Sequence, residues 1–209
     1  MKLYSYWRST TSYRVRTALN LKGIAYETIP VNLISDEQNQ PAYAALNPNR
    51  SVPMLVTDDD TVLIQSMAIL DWLEETYPDP PFLPIDKADR ARVRAAALGI
   101  ATDIHPVNNL RIVARLKSMG HDQQEAVDWM KHWMDQGFIA FSHLIDNDTP
   151  FSFGQRPGLA DICLVPQLYN ARRWGLDLTP YRRLADIEAR CLALPSFKDA
   201  EPENQPDAT

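Results

Sequence analysis

Between Pro78 and Pro84 four of seven residues are proline. Each proline lacks a backbone N–H and disfavours helical geometry in the residue before it, so neither a helix nor a central strand runs through this stretch. The chain is therefore cut there, and its two sides carry different patterns. Upstream, short alternating apolar runs are interleaved with helical ones. Downstream, from Asp86, apolar residues recur only at helical spacing: Val93, Ala96, Ala97 and Ile100 mark one face, and Trp129, Trp133, Phe141 and Leu144 another. The pattern predicts an α/β domain over 1–80 and an all-α domain over 86–200. The polar, acidic, proline-containing end, 201–209, is expected to be a disordered tail.

Within the first domain, Lys2 to Tyr6 alternates as a strand, Val15, Ala18 and Leu19 recur as a helix up to Gly23, and Tyr26 to Val31 forms the next strand. Strand, helix and strand within roughly thirty residues make a βαβ unit, with parallel strands and a right-handed crossover. Ser35 to Ala45 reads as a loop and short helix. Ser51 to Val56 is a strand with Pro53 at its entrance, either an ordinary edge proline or a cis peptide that turns a backbone edge toward a ligand. Thr57 to Asp60 joins it to Thr61 to Ile64 as an antiparallel hairpin. Gln65-Ser66 then caps a helix running to Tyr77.

The chemistry-bearing stretch is Arg8-Ser9-Thr10-Thr11-Ser12-Tyr13-Arg14-Val15-Arg16, where a strand passes into a helix through a run of hydroxyls. Such residues cap a helix whose first N–H groups are unpaired and carry partial positive charge, a place that stabilises an anion. Ser66 repeats the arrangement at the next helix, as a plain cap or as a holder of a carboxylate. In the second domain, Asp103-Ile104-His105-Pro106-Val107-Asn108-Asn109-Leu110-Arg111 sets polar groups around a proline that frees the Thr102 carbonyl and is expected to kink its helix. His105 is there as a satisfied structural histidine or as part of a cleft wall. Pro157 to Asp161 opens a buried helix that ends near Arg172 and Arg173, which complement the helix dipole or aim donors at a carboxylate.

A formal net charge of −6 argues against nucleic acid as an obligate partner. No run of about 18 apolar residues is present, and the chain starts directly as a strand, so a soluble, cytoplasmic protein without a membrane partner is expected. Cys163 and Cys191, in apolar surroundings, read as two reduced core thiols. His105, His121, His132 and His143 have no metal-ligand spacing, and no metal is expected.

A β-α-β, β-β-α domain with Val-Pro before its third strand and Gln-Ser at the next helix, followed by an all-α domain, resembles the cytosolic glutathione transferases, whose first domain is thioredoxin-like. The stretch from Arg8 to Arg16 is similar to the zeta-class signature Ser-Ser-Cys-x-Trp-Arg-Val-Arg. Asp103 to Asn109 is similar to the bacterial maleylacetoacetate isomerases of that class, and Asp177-Leu178-Thr179-Pro180-Tyr181 also recurs there. The resemblance covers essentially the whole chain. It implies glutathione as cofactor and a small dicarboxylate as substrate. Ser9 would meet the glutathione sulfur, with Thr10 and the N–H groups from Thr11 beside it. Val52 and Pro53 would lie against the cysteinyl part, Gln65 and Ser66 at the γ-glutamyl carboxylate, and Gln38, His105 and Asn109 at other glutathione positions. Arg8, Arg173 and Arg111 would face substrate carboxylates, leaving Ser9, Thr11 and Arg8 as the catalytic set.

Two positions depart from the class. Thr11 stands where the signature has cysteine, as it also does in the related maleylpyruvate isomerases, and removes any protein thiol from the chemistry. Gly158 stands where a threonine usually caps the central helix, which predicts a second-rank cap with Asp161 at the third helical position. The resemblance thus implies a homodimeric, glutathione-dependent cis-trans isomerase of maleylacetoacetate, in tyrosine and phenylalanine catabolism. Its alternatives are a maleylpyruvate isomerase of the gentisate route, a general zeta-class transferase, or a noncatalytic interaction module of the same fold. The presence of Ser9, Gln65 and Ser66 speaks against the last.

Overall fold

The structure, a computed structural model, describes all 209 residues. Two compact units emerge: Met1–Pro81 together with Leu192–Thr209, and Phe82–Cys191. This differs from the expected division, because residues 192–209 belong to the first unit.

In the first unit, β1 (Lys2–Ser5), α1 (Thr10–Leu21), β2 (Glu27–Pro30), α2 (Pro41–Leu46), β3 (Met54–Val56), β4 (Val62–Ile64) and α3 (Ser66–Thr76) follow one another. The sheet order is β2-β1-β3-β4. β1 and β2 run parallel, with Lys2 opposite Glu27, while β3 is antiparallel to both β1 and β4. Side chains alternate across a pleated sheet. Leu3 and Leu55 accordingly join Val15, Ala18 and Leu19 of α1 and Ile69, Leu70 and Leu73 of α3 in the buried set. On the opposite side Tyr4, Met54 and Val56 pack with Tyr6, Trp7, Val31, Tyr43 and Val52.

The tail departs from its expected disorder. After α9 (Pro195–Lys198), Pro202–Asn204 makes a 3-10 turn, and Gln205 is buried, its amide donating to the Asp199 and Glu201 carbonyls at 2.9 and 2.8 Å. Asp207 Oδ2 accepts the Trp7 N–H at 3.0 Å. Composition misleads here because polar side chains that fold back on their own backbone, and on a strand end some 200 residues away, need little apolar area to become ordered.

The second unit contains α4 (Lys87–Leu98), α5 (Leu110–Ser118), α6 (Gln123–Leu144), α7 (Leu159–Arg173) and α8 (Arg182–Leu192). Asp86 caps α4 through the N–H groups of Ala88 and Asp89, and Asp122 and Glu125 form a full capping box on α6. Seen from its contacts, α7 is the central helix: Leu159 through Leu168 are all buried. Its Asp161 carboxylate accepts from Gly158 N at 2.8 Å and Ser152 N at 2.9 Å. Burial nevertheless pushes this carboxyl above its ordinary range, against the lowering effect of those N–H groups. Gly158 is more than a weak cap. A Cβ there would lie 2.7 Å from the Phe82 carbonyl oxygen, the oxygen that accepts Leu159 N at 2.9 Å.

The proline of the polar stretch does not kink a continuous helix. After α4 the backbone widens into a π segment over Gly99–Ile104, with His105 N reaching Ile100 O at 3.0 Å, and then makes a 3-10 turn at Pro106–Asn108. Pro106 sits at the first position of that turn, where a missing N–H leaves nothing unsatisfied. Asn109 then starts α5, its side chain accepting Arg111 N at 3.2 Å.

The π segment packs on α6 where Gly137 leaves room. A Cβ on Gly137 would fall 2.1 Å from Ile104 Cδ1, and Ile104 is 1% exposed. Gly137→Ala is therefore expected to lose about 1–3 kcal/mol of stability through overpacking, despite alanine's better helix propensity. Urea denaturation measures it; an unchanged or raised midpoint would contradict the tight approach.

Candidate functional site

The end of β1 and the start of α1 set the geometry. Ser9 is the N-cap of α1, with extended backbone (φ −70°, ψ 118°), and its Oγ accepts Ser12 N–H at 3.2 Å. Ser9 Oγ also lies 2.9 Å from Thr11 Oγ1, and the Thr11 hydroxyl donates to the Val52 carbonyl at 2.9 Å. Three residues named from the sequence, Ser9, Thr11 and Val52, thus form one hydrogen-bonded group. Val52–Pro53 is a cis peptide, one of the two readings left open for this proline. Thr10, the first residue of α1, is buried.

Arg8 precedes this group. Its guanidinium lies over the Trp7 indole, 4.5 Å from the ring centroid, and Nη2 donates to the Tyr6 hydroxyl at 3.4 Å. A cation held over an aromatic face keeps its charge while its freedom is narrowed. The second helix start differs from the expected cap. Gln65 is the N-cap residue, at φ 72°, and its side chain makes no capping bond, whereas Ser66 is the first helical residue and buried. The Ser66 hydroxyl accepts from Arg14 Nη1 at 3.4 Å. Arg14 is 1% exposed, so a buried guanidinium underlies the serine expected at a carboxylate site. Gln38 stands apart, on the 3-10 turn Glu37–Asn39, its amide nitrogen on Asp36 at 2.9 Å and its Oε1 buried without a partner.

In the second unit His105 closes the π segment, while the Asn109 side chain is taken up in capping α5. Its neighbour Asn108, which motif matching passed over, is buried, and neither polar atom of its amide has a hydrogen-bond partner. Arg111 is exposed on the first turn of α5. Arg173 is exposed at the end of α7, its guanidinium 4.9 Å from the Trp174 ring centroid, whereas Arg172 forms a two-pronged ion pair with buried Glu188. Of the two adjacent arginines, Arg172 is thus structural. The Asp177–Tyr181 motif is structural too: Asp177 accepts Thr179 N at 2.9 Å, and Tyr181 donates to the Asp135 carboxylate at 2.5 Å. Burial and that carboxylate push the Tyr181 hydroxyl far above its ordinary value. Burial does the same to the Cys191 thiol, which stays protonated and unreactive.

The donor set suits a thiol-bearing peptide. A half-buried hydroxyl at a helix N-terminus suits a thiolate, a backbone edge at Val52 suits an amide, and Ser66 over Arg14 suits a carboxylate. Sequence comparison points the same way. The family described as Glutathione S-transferase, N-terminal domain, matches residues 8–76. The maleylacetoacetate isomerase of Pseudomonas aeruginosa is 49% identical over 209 residues, covering 99% of this chain and 98% of that protein. The chain belongs to the zeta class of glutathione transferases. A holo structure of maleylpyruvate isomerase, described as a bacterial glutathione S-transferase of the zeta class, superposes with a TM-score of 0.97 at 47% identity, covering both chains fully. A maleylacetoacetate isomerase from Anaeromyxobacter dehalogenans, solved with glutathione in its active site, gives 0.90 at 44% identity over 100% of this chain and 97% of that one. The zeta-class assignment accounts for the four-stranded sheet with its helices and for the all-α second unit, and no helix is long and apolar enough to cross a membrane.

Proposed function

We propose that this zeta-class transferase is a glutathione-dependent cis-trans isomerase that converts maleylacetoacetate to fumarylacetoacetate in the cytoplasm, as a homodimer. The observation that carries the reading is the Ser9–Thr11–Val52 group at the start of α1, in a chain so similar to isomerases along its full length. Bound glutathione supplies a thiolate whose reversible addition to the maleyl double bond leaves a single bond free to rotate, and which leaves unchanged. Ser9 donates its hydroxyl proton to the sulfur, and the α1 N-terminus adds partial positive charge, raising the thiolate fraction of a group whose reference pKa is about 8.5. Val52 pairs its backbone with the cysteinyl part. Gln65 and Ser66 take the γ-glutamyl carboxylate, with Gln38, His105 and Asn109 at the rest of the peptide. Arg8, Arg173 and Arg111 neutralise the charge that gathers on the substrate's carbonyl and carboxylates.

Maleylpyruvate is the second candidate substrate. Thr11 in place of the class cysteine, together with the fully overlapping maleylpyruvate isomerase structure, favours it. Both substrates are to be offered with glutathione at about one hundredth of their concentration. The expected result is turnover well beyond the glutathione supplied, with the larger kcat/KM naming the substrate. Product limited to the glutathione added would replace isomerisation by a conjugating transferase activity.

A further inference from the structure

The Ser9, Thr11 and Val52 contacts contain more than a static scaffold, because two hydroxyls share too few protons. Thr11 has one hydroxyl proton, and in the structure it points to the Val52 carbonyl, 2.9 Å away. The 2.9 Å contact between Ser9 Oγ and Thr11 Oγ1 must then be made with the Ser9 proton. Ser9 Oγ in turn accepts the Ser12 N–H. In this arrangement Ser9's proton is occupied, and no proton of the group is directed at a ligand sulfur. The reverse arrangement, with Thr11 donating to Ser9, frees the Ser9 proton but takes Thr11's away from the Val52 carbonyl. That contact is half-buried, so giving it up without another donor for the carbonyl costs part of a hydrogen bond.

We propose that Thr11 is a positioning residue that couples docking of the peptide to activation of its thiol. This rests on the glutathione reading above. When the ligand's cysteinyl N–H pairs with the Val52 carbonyl, that oxygen has a donor of its own and Thr11 is free to leave it. Thr11 turns its proton to Ser9 Oγ, and Ser9 turns its own to the sulfur. Ser9 then accepts from both Thr11 and Ser12 N–H while donating to the thiolate, and hydrogen bonds chained in this way polarise one another and strengthen. A ligand with the thiol but without the amide leaves the relay in its resting direction. A cysteine at position 11 relays weakly, since a thiol is a poor donor.

The test compares wild type with Thr11→Val, which keeps the shape and removes the hydroxyl, and Thr11→Ser, which restores it; Thr11→Ala replaces the valine variant if that variant does not fold. Two quantities are read: the titration midpoint of the bound glutathione thiol, from thiolate ultraviolet absorbance, and the Kd for S-methylglutathione, which docks the peptide but has no thiol to ionise. The relay requires the Thr11→Val midpoint to rise by about half to one pH unit, Thr11→Ser to return it to the wild-type value, and the Kd for S-methylglutathione to stay within about twofold. A midpoint equal to wild type in Thr11→Val overturns the relay alone. So does a weakening of S-methylglutathione binding in step with the midpoint, which marks a purely structural threonine. A wild-type protein that binds no glutathione overturns the functional reading and the relay together.

Discussion

Arg16→Met is expected to lose about 3–6 kcal/mol of stability, enough to leave much of the protein unfolded or insoluble when total stability is about 5–15 kcal/mol. Arg16 is completely buried on α1. Its Nε donates to Ala200 O at 3.0 Å, Nη1 to Ser5 Oγ at 3.0 Å and Tyr6 O at 3.5 Å, and Nη2 to Trp7 O at 3.0 Å. Methionine fills similar space but leaves these acceptors inside without their charged donor. Each stranded acceptor costs about 1–3 kcal/mol, and the carbonyls of Ala200 and Trp7 dominate the sum, because Tyr6 O keeps the Ser9 N–H at 3.0 Å. Arg16→Lys is expected to recover little, because a lysine ammonium is a point charge and cannot span a fork of acceptors facing different ways. Urea denaturation of refolded protein measures the loss. A decrease below about 1 kcal/mol would mean that the carbonyls find other donors.

Ser9→Ala is expected to cut turnover by about 10²–10³-fold, the scale seen when one donor to a developing anion is removed. The fold should survive, because losing an N-cap side chain costs only about 1 kcal/mol. The separation of the two effects is the diagnostic. Far-ultraviolet circular dichroism should keep its shape and the melting temperature should drop by a few degrees, while kcat collapses. An Ser9→Ala variant that isomerises at the wild-type rate would remove Ser9 from the chemistry and leave the α1 N-terminus alone as the anion's partner.

The features legible in advance were those written in local pattern. The βαβ start, the acidic hairpin turn and the proline break all come from spacing and turn chemistry, and the observed strands end within a residue of the expected bounds except at the start of β3, which begins at Met54, three residues after Ser51. The run of hydroxyls marked the start of α1, but that Ser9 is the one that caps it came only with the structure, and its place at the sulfur came from the resemblance. What stayed hidden depends on residues far apart in sequence. Nothing in Arg14 distinguishes it from an exposed helical arginine until Ser66 lies beside it. Asp207 gives no hint that it holds Trp7 N, and Asn108 gives none that its amide is buried while Asn109 becomes the helix cap. Gly158 was misleading in the same way: what matters there is the Phe82 oxygen against the missing Cβ, and not the cap a threonine would make.

Residues 192–209 belong to the unit that carries Ser9, although the whole of the helical unit, Phe82–Cys191, lies before them in the chain. Synthesis runs from the N-terminus, and domains tend to fold as they emerge. The order of completion on the ribosome is therefore inverted for this protein: the unit that starts first is completed last. Until Ala200 and Asp207 leave the exit tunnel, Arg16 lacks one of its carbonyls and Trp7 N–H lacks its acceptor. The segment just upstream of Ser9 is thus left unfastened while the helical unit is already complete. A nascent chain whose emerged part ends between Cys191 and Ala200 would present a complete helical unit and a first unit still lacking its last segment, the form on which a chaperone or a protease would act.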